Sequence, residues 1–342
     1  MHTLQFLMYK ILLFTLLFFC NNINAQVKWI DANTAYAPLP GGFNVFTTTD
    51  SLEGKPFKAF YAIADIKNKK LKFTTDTTSK RRLTPAQFFE KNNKPLLVVN
   101  STFFSFATNQ NLNLVIKEGR LVGYNIHTIP QRGKDTFTFK HPFAGAIGIS
   151  KKRKADVAWT YTDSSEATSY ASQYAIPSIK DSTEKMFGEN VKSMEYSYSI
   201  PSRNIISSAG FKPIFKKWKM QTAVGGGPVL VQNGQIKITN NEELKFAGDA
   251  INDKHPRTLM GYTKDNKLIV MVIEGRNPAV AEGASLVQAA QLMLQLGCVE
   301  ALNLDGGGSS CMLINGKETI EPSDKGLQRA VPAVFIIYNK PK

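Results

Sequence analysis

Residues 301–316 read ALNLDGGGSSCMLING: a short apolar run, one carboxylate, three glycines, two serines, then a second apolar run closed by Asn-Gly. A carboxylate set against consecutive glycines serves one of two ends. Glycine supplies the positive φ that a tight turn requires, or it lets a ligand approach backbone N–H groups that cradle an anion. Three other polar interruptions fall at the ends of apolar runs: Asn100-Ser101-Thr102, Gly225-Gly226-Gly227 and Glu274-Gly275-Arg276. Turn geometry accounts for any one of the four; together they describe a site assembled from strand ends. Arginines accompany them. Arg257 follows His255-Pro256, Arg276 follows Glu274-Gly275, and Arg329 precedes the last apolar run. A guanidinium is a surface charge or a planar fork for phosphate or carboxylate, a shape lysine lacks. No Gly-Lys-Ser/Thr follows either glycine triplet, which excludes a P-loop. His127, His141 and His255 show no spacing of a zinc site or a catalytic triad.

The elements that must position these residues read mostly as strands and hairpins. Residues 59–66 and 71–75 are short β-rich runs, and residues 96–104 (LLVVNSTFF) form a buried-type strand that turns polar at Asn100. Residues 112–116 and 121–124 flank Lys-Glu-Gly-Arg, residues 229–232 and 235–238 flank Asn-Gly, and residues 257–262 and 268–274 flank Lys-Asp-Asn-Lys. Each pair predicts a hairpin. One segment is helical by period: Leu286, Ala289, Ala290 and Met293 recur at i, i+3, i+4, i+7, with Ser285 and Gln288 as a capping box and Gly297 as the stop. The expected fold is α+β, dominated by an antiparallel sheet built from hairpins, with at least one long helix packed on it.

The first 25 residues stand apart. Lys10 is their only charge, residues 11–19 are nearly all apolar, and Ile-Asn-Ala ends at Ala25. That pattern predicts a signal peptide (1–25), cleavage before Gln26 and export to the periplasm or surface. The apolar run is short for roughly 30 Å of hydrocarbon, and no later stretch predicts a span. Phe19 stands where lipidation at Cys20 would require a small residue. Cys298 and Cys311 remain in the mature chain. If DGGGSS turns between paired strands, symmetry about Gly307 sets Cys311 opposite Asn303, so both thiols are expected free. With 42 Lys and Arg against 27 Asp and Glu, the formal charge of +15 points to anionic partners. Lysine runs at 67–72, 151–154 and 216–219 adjoin turn-like segments and read as solvated loops. Without a helix-turn-helix, zinc-finger or RNA-binding aromatic motif, nucleic acid is not an expected partner. The chain divides into a β-rich segment (26–95) and a main domain (96–340), whose Ser/Thr/Tyr-rich stretch at 159–203 reads as an irregular insertion or lid.

The run GASLVQAAQLMLQLGCVEALNLDGGGSSCMLING, with AVGGGPVLVQNG and RTLMGYTKDNKLIVMVIEGR, resembles the phosphodiester glycosidase family over about residues 96–338. Bacterial members resemble exported, exopolysaccharide-processing enzymes. The resemblance implies an exported hydrolase acting on a sugar-1-phosphodiester, such as an N-acetylglucosamine-1-phosphodiester or an envelope or exopolysaccharide glycan; no cofactor and no metal are expected. It implies Asp305, Gly306, Gly307 and Ser309 as a signature loop, with Arg257, Arg276 and Arg329 around it. Asn100 matches the first residue of an Asn-Gly-Gly-Phe-Phe motif, in which Ser101 and Thr102 replace both glycines here, and Gln288 stands where the family usually has glutamate.

Splitting a C1–O bond with phosphate as leaving group demands less of a general acid than ordinary glycoside hydrolysis. It still needs donors for phosphate and a carboxylate at the sugar. On this reading Asp305 and Glu274 are catalytic, and Asn100, Gly226, Gly227, Arg257, Arg276, Gly306, Gly307, Ser309 and Arg329 bind substrate, with Asn100 and Ser309 also able to orient Asp305. Two alternatives stay open: a non-catalytic envelope protein that binds anionic glycan, and a metal-assisted phosphodiesterase with Asn100, Glu274 and Asp305 as oxygen ligands.

Overall fold

The computed structural model describes residues 26–182, 195–196 and 212–340. The signal segment with Cys20, and residues 183–194 and 197–203 of the Ser/Thr/Tyr-rich stretch, lie outside the described residues. Three antiparallel sheets carry the fold. The first has eight strands in the order Ile30–Asp31, Phe43–Thr48, Ala59–Asp65, Lys267–Ile273, Arg257–Thr263, Cys298–Asn303, Val229–Gln232, Gln235–Ile236. The second has seven, in the order Lys216–Lys217, Thr168–Ser172, Ala155–Asp163, Ala144–Ile149, Thr222–Gly225, Val115–Lys117, Arg120–Gly123. The third has five, in the order Lys317–Glu318, Met312–Ile314, Leu97–Asn100, Ala333–Asn339, Leu71–Thr77. Ala59–Asp65 pairs with Lys267–Ile273, and Leu71–Thr77 with Ala333–Asn339, so residues 26–95 supply strands to two of these sheets.

The hairpins follow from their turn residues. Val229–Gln232 folds back on Gln235–Ile236 across Asn233, at φ 52°, and Gly234, at φ 72°, the positive values a two-residue turn requires. Val115–Lys117 pairs with Arg120–Gly123, and Arg257–Thr263 with Lys267–Ile273. One core joins all three sheets, bringing Phe43, Val270 and Leu302 of the first against Ile147 and Trp159 of the second and Val99 and Phe335 of the third.

The α+β expectation is corrected here: the fold is β-rich. Among the described residues the α-helices are Pro85–Lys91, Asn240–Glu243 and Leu286–Gln295, of seven, four and ten residues. Leu286–Gln295 sits where the periodicity put it, on the Ser285/Gln288 capping box, but three turns make a cover rather than a layer. It buries Leu286, Ala289, Ala290 and Met293 against Leu259, Ile269 and Met271 of the first sheet. The core itself forms where sheets face sheets, because among the described residues only this segment sustains a helix over more than two turns.

The assumed turn at Gly307 is also corrected. Cys298–Asn303 lies in the first sheet and Met312–Ile314 in the third, so DGGGSS is a crossover between sheets and not the tip of a hairpin. Cys298 and Cys311 are free and buried, held apart by sheet membership rather than by the register expected for them. Among the described residues no helix is long and apolar enough to cross a membrane.

Candidate active site

The crossover is pinned by the strand ends around it. Asn100, wholly buried at the end of Leu97–Asn100, donates Nδ2 to Asp305 O at 2.6 Å. Its Oδ1 accepts from Thr258 Oγ1 at 2.9 Å and Cys311 N at 3.1 Å. Asp305 N donates to Ser101 O at 2.8 Å, and Gly307 N to Pro256 O at 2.8 Å. Two segments distant in sequence, Asn100-Ser101 and Pro256–Thr258, thereby fix the backbone that carries Asp305. Asn100 acts on the loop, with its oxygen shared by two internal donors.

Each signature glycine answers to a neighbour. A Cβ on Gly306 would lie 2.8 Å from Pro256 O; one on Gly307, at φ 59°, would lie 3.0 Å from Arg276 Nη2; one on Gly308 would overlap the Arg329 guanidinium. The triplet lets two arginines rest on the loop backbone. Arg276, itself at φ 65°, is exposed, while Arg329 is steadied by Asp324 at 2.9 Å and lies 5.4 Å from the centre of the Phe106 ring. Arg257 is buried, donating Nε to Ala284 O and Nη2 to Asp253 O at 2.9 Å each, with its guanidinium 5.8 Å from the Phe246 ring centre. Burial pushes its pKa down to about 10, with Arg276 adding to the effect and Asp253 opposing it, so it remains a cation at neutral pH.

Asp305 is the perturbed group of the site. Burial raises its pKa to about 7, against the opposing pull of the Ser309 hydroxyl, Arg329 and the Gly306 N–H. Ser309 is close enough to act on the charge, yet neither Asp305 Oδ2 nor Ser309 Oγ has a hydrogen-bond partner of normal geometry among the described residues. Ser101 Oγ, Thr102 Oγ1 and Asn303 Oδ1 are likewise buried and unpaired. Native interiors seldom leave buried polar atoms unpaired, and five on one loop and its supports mark a place built for polar contact.

Glu274, Gly226 and Gly227 make contacts of their own. Glu274 is buried, its Oε2 pairing with Lys58 Nζ at 2.7 Å and accepting from Glu321 N at 3.0 Å. It shares no hydrogen bond with Asp305 and lines a small cavity of about 200 Å³ with Arg276, Ser323 and Lys325. Its Oε2 is thus paired, while its Oε1 is buried without a hydrogen-bond partner among the described residues. Gly225, Gly226 and Gly227 donate their N–H groups to Leu114 O, Gly145 O and Asn303 O, at 2.7, 2.9 and 2.7 Å, so that these donors are taken up within the fold.

Sequence reasoning passed over several neighbours. Phe106 is 63% exposed beside Arg329; the aromatic run just past Asn100 was its signal. Phe103 meets Phe246 edge-on at 6.1 Å, with Lys245 Nζ 5.1 Å from the Phe103 ring centre. Buried Glu243 accepts from Gly145 N and Val229 N at 2.8 Å, Thr239 Oγ1 at 2.6 Å and Trp159 Nε1 at 3.2 Å, tying the first sheet to the second. Burial raises its pKa, and Lys245 opposes that. The string TNNEELKF reads as a solvated helix end, so sequence carried no signal for either charge.

The family signature described as phosphodiester glycosidase matches residues 93–338, which include every residue of the cluster. The chain belongs to the phosphodiester glycosidase family. The family's resemblance also appears pairwise. The SPbeta prophage-derived protein YomE of Bacillus subtilis is 38% identical over 81 residues, 24% of this chain and 12% of its own. The N-acetylglucosamine-1-phosphodiester alpha-N-acetylglucosaminidase of Bos taurus is 31% identical over 103 residues, 28% of this chain and 19% of its own. This chain thus matches less than a fifth of the length of either relative. The catalytic domain of the zebrafish enzyme of the same name, solved in a form auto-inhibited by its pro-peptide, aligns with a TM-score of 0.54 at 19% identity, covering 92% of this chain and 89% of that one. That likeness is one of fold.

Proposed function

We propose that the protein is an exported hydrolase that cleaves the C1–O bond of a sugar-1-phosphodiester in a cell-envelope or exopolysaccharide glycan. The observation that carries this reading is Asp305, held near a pKa of 7 in a loop on which Arg276 and Arg329 lie directly. A water oxygen bonds to C1, the C1–O bond breaks, and its electron pair leaves on the phosphate oxygen. The products are a free sugar and a phosphate monoester. Arg276 and Arg329 hold the phosphate charge, with the buried Arg257 adding positive potential beneath the loop. Asp305 takes the proton from water, and a base with pKa near the working pH suits that transfer. Asn100 and Ser309 orient Asp305, and Phe106 offers an apolar face to the sugar ring. Export is supported by the charge and hydropathy pattern of residues 1–25.

Hydrolysis of a sugar-1-phosphodiester in water enriched with oxygen-18, with and without chelator, tests the reading. The label is expected in the free sugar, in equal yield with chelator. Label in a phosphate product would overturn C1–O cleavage in favour of a phosphodiesterase. Substrate that binds and is recovered unchanged would overturn catalysis in favour of a glycan-binding role. The metal-assisted alternative starts weaker, because Asn100 Oδ1 already accepts two internal donors and Glu274 is ion-paired with Lys58.

A further inference from the structure

Two of the lysine runs that read as solvated loops, 151–154 and 216–219, are brought together by the second sheet. Lys216–Lys217 pairs with Thr168–Ser172 at one edge, and the following residues, through Trp218 and Met220, lie across the sheet at Gly148, where a Cβ would be 2.9 Å from Trp218 Cη2 and 2.6 Å from Met220 Cγ. Beside this strap is a cleft of about 460 Å³, lined by Lys151, Lys217 and Lys219 together with Thr168, Ser169 and the buried Trp218. No Asp or Glu lines it, and none of the three lysines forms an ion pair among the described residues. Cations gathered around a concavity without a counter-charge focus a positive potential into it. Thr168 and Ser169 donate their hydroxyl hydrogens to Glu166 O and Trp218 O, each at 3.1 Å, which leaves both oxygens free to accept.

We propose that this cleft is a second, non-catalytic binding site for an acidic oligosaccharide, one that carries two or more carboxylate, phosphate or sulfate groups among its hydroxyls. The lysines take the anions, and Thr168 and Ser169 accept from sugar hydroxyls. The volume falls in the range of small-molecule sites. A lipid surface fits less well, because none of the large exposed hydrophobic side chains lines the cleft and only shallow electrostatic contact would remain. The site is distinct from Asp305: the residues that line it include none of the 305–310 loop, of Asn100 and Ser101 that hold it, or of Arg257, Arg276 and Arg329. The inference therefore stands whether or not the protein hydrolyses a phosphodiester.

Titration calorimetry of the whole mature protein with trigalacturonate, with maltotriose as the neutral control and phosphatidylglycerol vesicles as the lipid control, tests it. Trigalacturonate is expected to bind and maltotriose not. Combined Lys151→Glu, Lys217→Glu and Lys219→Glu should weaken that binding by about tenfold or more, whereas Lys67→Glu, Lys69→Glu and Lys70→Glu, an equal charge change elsewhere, should alter it by less than about twofold. If the reversal does not fold, Lys→Gln at the same three cleft positions is expected to give a smaller loss in the same direction. Absence of trigalacturonate binding, equal binding of maltotriose, equal loss in the two charge-reversal sets, or binding to vesicles alone would each overturn the proposal.

Discussion

The chain contains two Gly-Gly-Gly strings that look interchangeable on paper and differ in what lies against them. At Gly225–Gly227 every N–H donates to a carbonyl of another segment, and added Cβ atoms would strike Leu114 N, Asn303 O and the side chains of Glu243 and Lys245. Those glycines exist so that two sheets can close on each other. At Gly306–Gly308 the neighbours are Pro256 O and the guanidinium groups of Arg276 and Arg329, and the preceding residue is a carboxylate with its pKa raised to about 7. One triplet is packed by backbone and interior side chains, the other by two arginines and one carbonyl. A glycine string thus reports only that something comes close; the identity of what comes close decides whether the result is stability or chemistry.

The comparison is broken most directly at Asp305. Asp305→Asn keeps the shape of the loop and removes its charge, so turnover of a sugar-1-phosphodiester should fall by about 10² to 10⁴, with far-ultraviolet circular dichroism unchanged. A variant with normal turnover would reduce the second triplet to a packing device like the first. Gly308→Ala should come next. It displaces Arg329, and KM should rise by about tenfold or more with a smaller fall in kcat. Gly226→Ala should show the opposite profile, losing about 1–3 kcal/mol of stability from overpacking while the molecules that remain folded keep their KM. If both glycine variants lost stability alone, the distinction between the triplets would vanish.

Arg276→Lys, a subtler change, should raise KM several-fold, since an ammonium cannot reproduce the fork that faces the phosphate. The smallest effect sharpens the electrostatic side. An acid whose folded pKa lies above its unfolded value binds more protons when folded, so its contribution makes the protein less stable as pH rises from about 4 to about 7. Asp305→Asn lacks that loss. Its melting temperature relative to wild type should climb between pH 5 and pH 8, and the wild-type kcat/KM should rise through a limb near 7 as Asp305 ionises.

Local elements were legible because their causes are local. Asn233-Gly234 demands its hairpin through positive φ, Ser285 and Gln288 cap their helix across three residues, and the short apolar runs at 257–263 and 267–273, split by Lys-Asp-Asn, mark two strands whatever they pair with. The family was legible too, since DGGGSS and the strings around it lie close in sequence. The helix was overvalued: a clear period says that ten residues coil, and says nothing of how much core they cover beside three sheets. The hairpin at Gly307 failed for the same reason, because two apolar runs around glycines look alike whether their strands pair or part.

Within the site, residue type picked out Asp305, Arg276, Arg329 and Ser309, which the fold gathers on one loop. Residue type could not say that Asn100 holds the loop by its carbonyl, or that Glu274 answers to Lys58 and Glu321. Nor could it find Phe106 beside Arg329, or Lys151 and Lys217 beside one cleft. By itself the sequence determined turns, caps, strand periods and a family motif, all set by neighbours within a few residues and by the limits of φ and ψ. Only the tertiary structure decided which polar groups are already paired, which carboxylate is stripped of water and which cations meet, because hydrogen bonding, desolvation and Coulomb energy depend on distance through space.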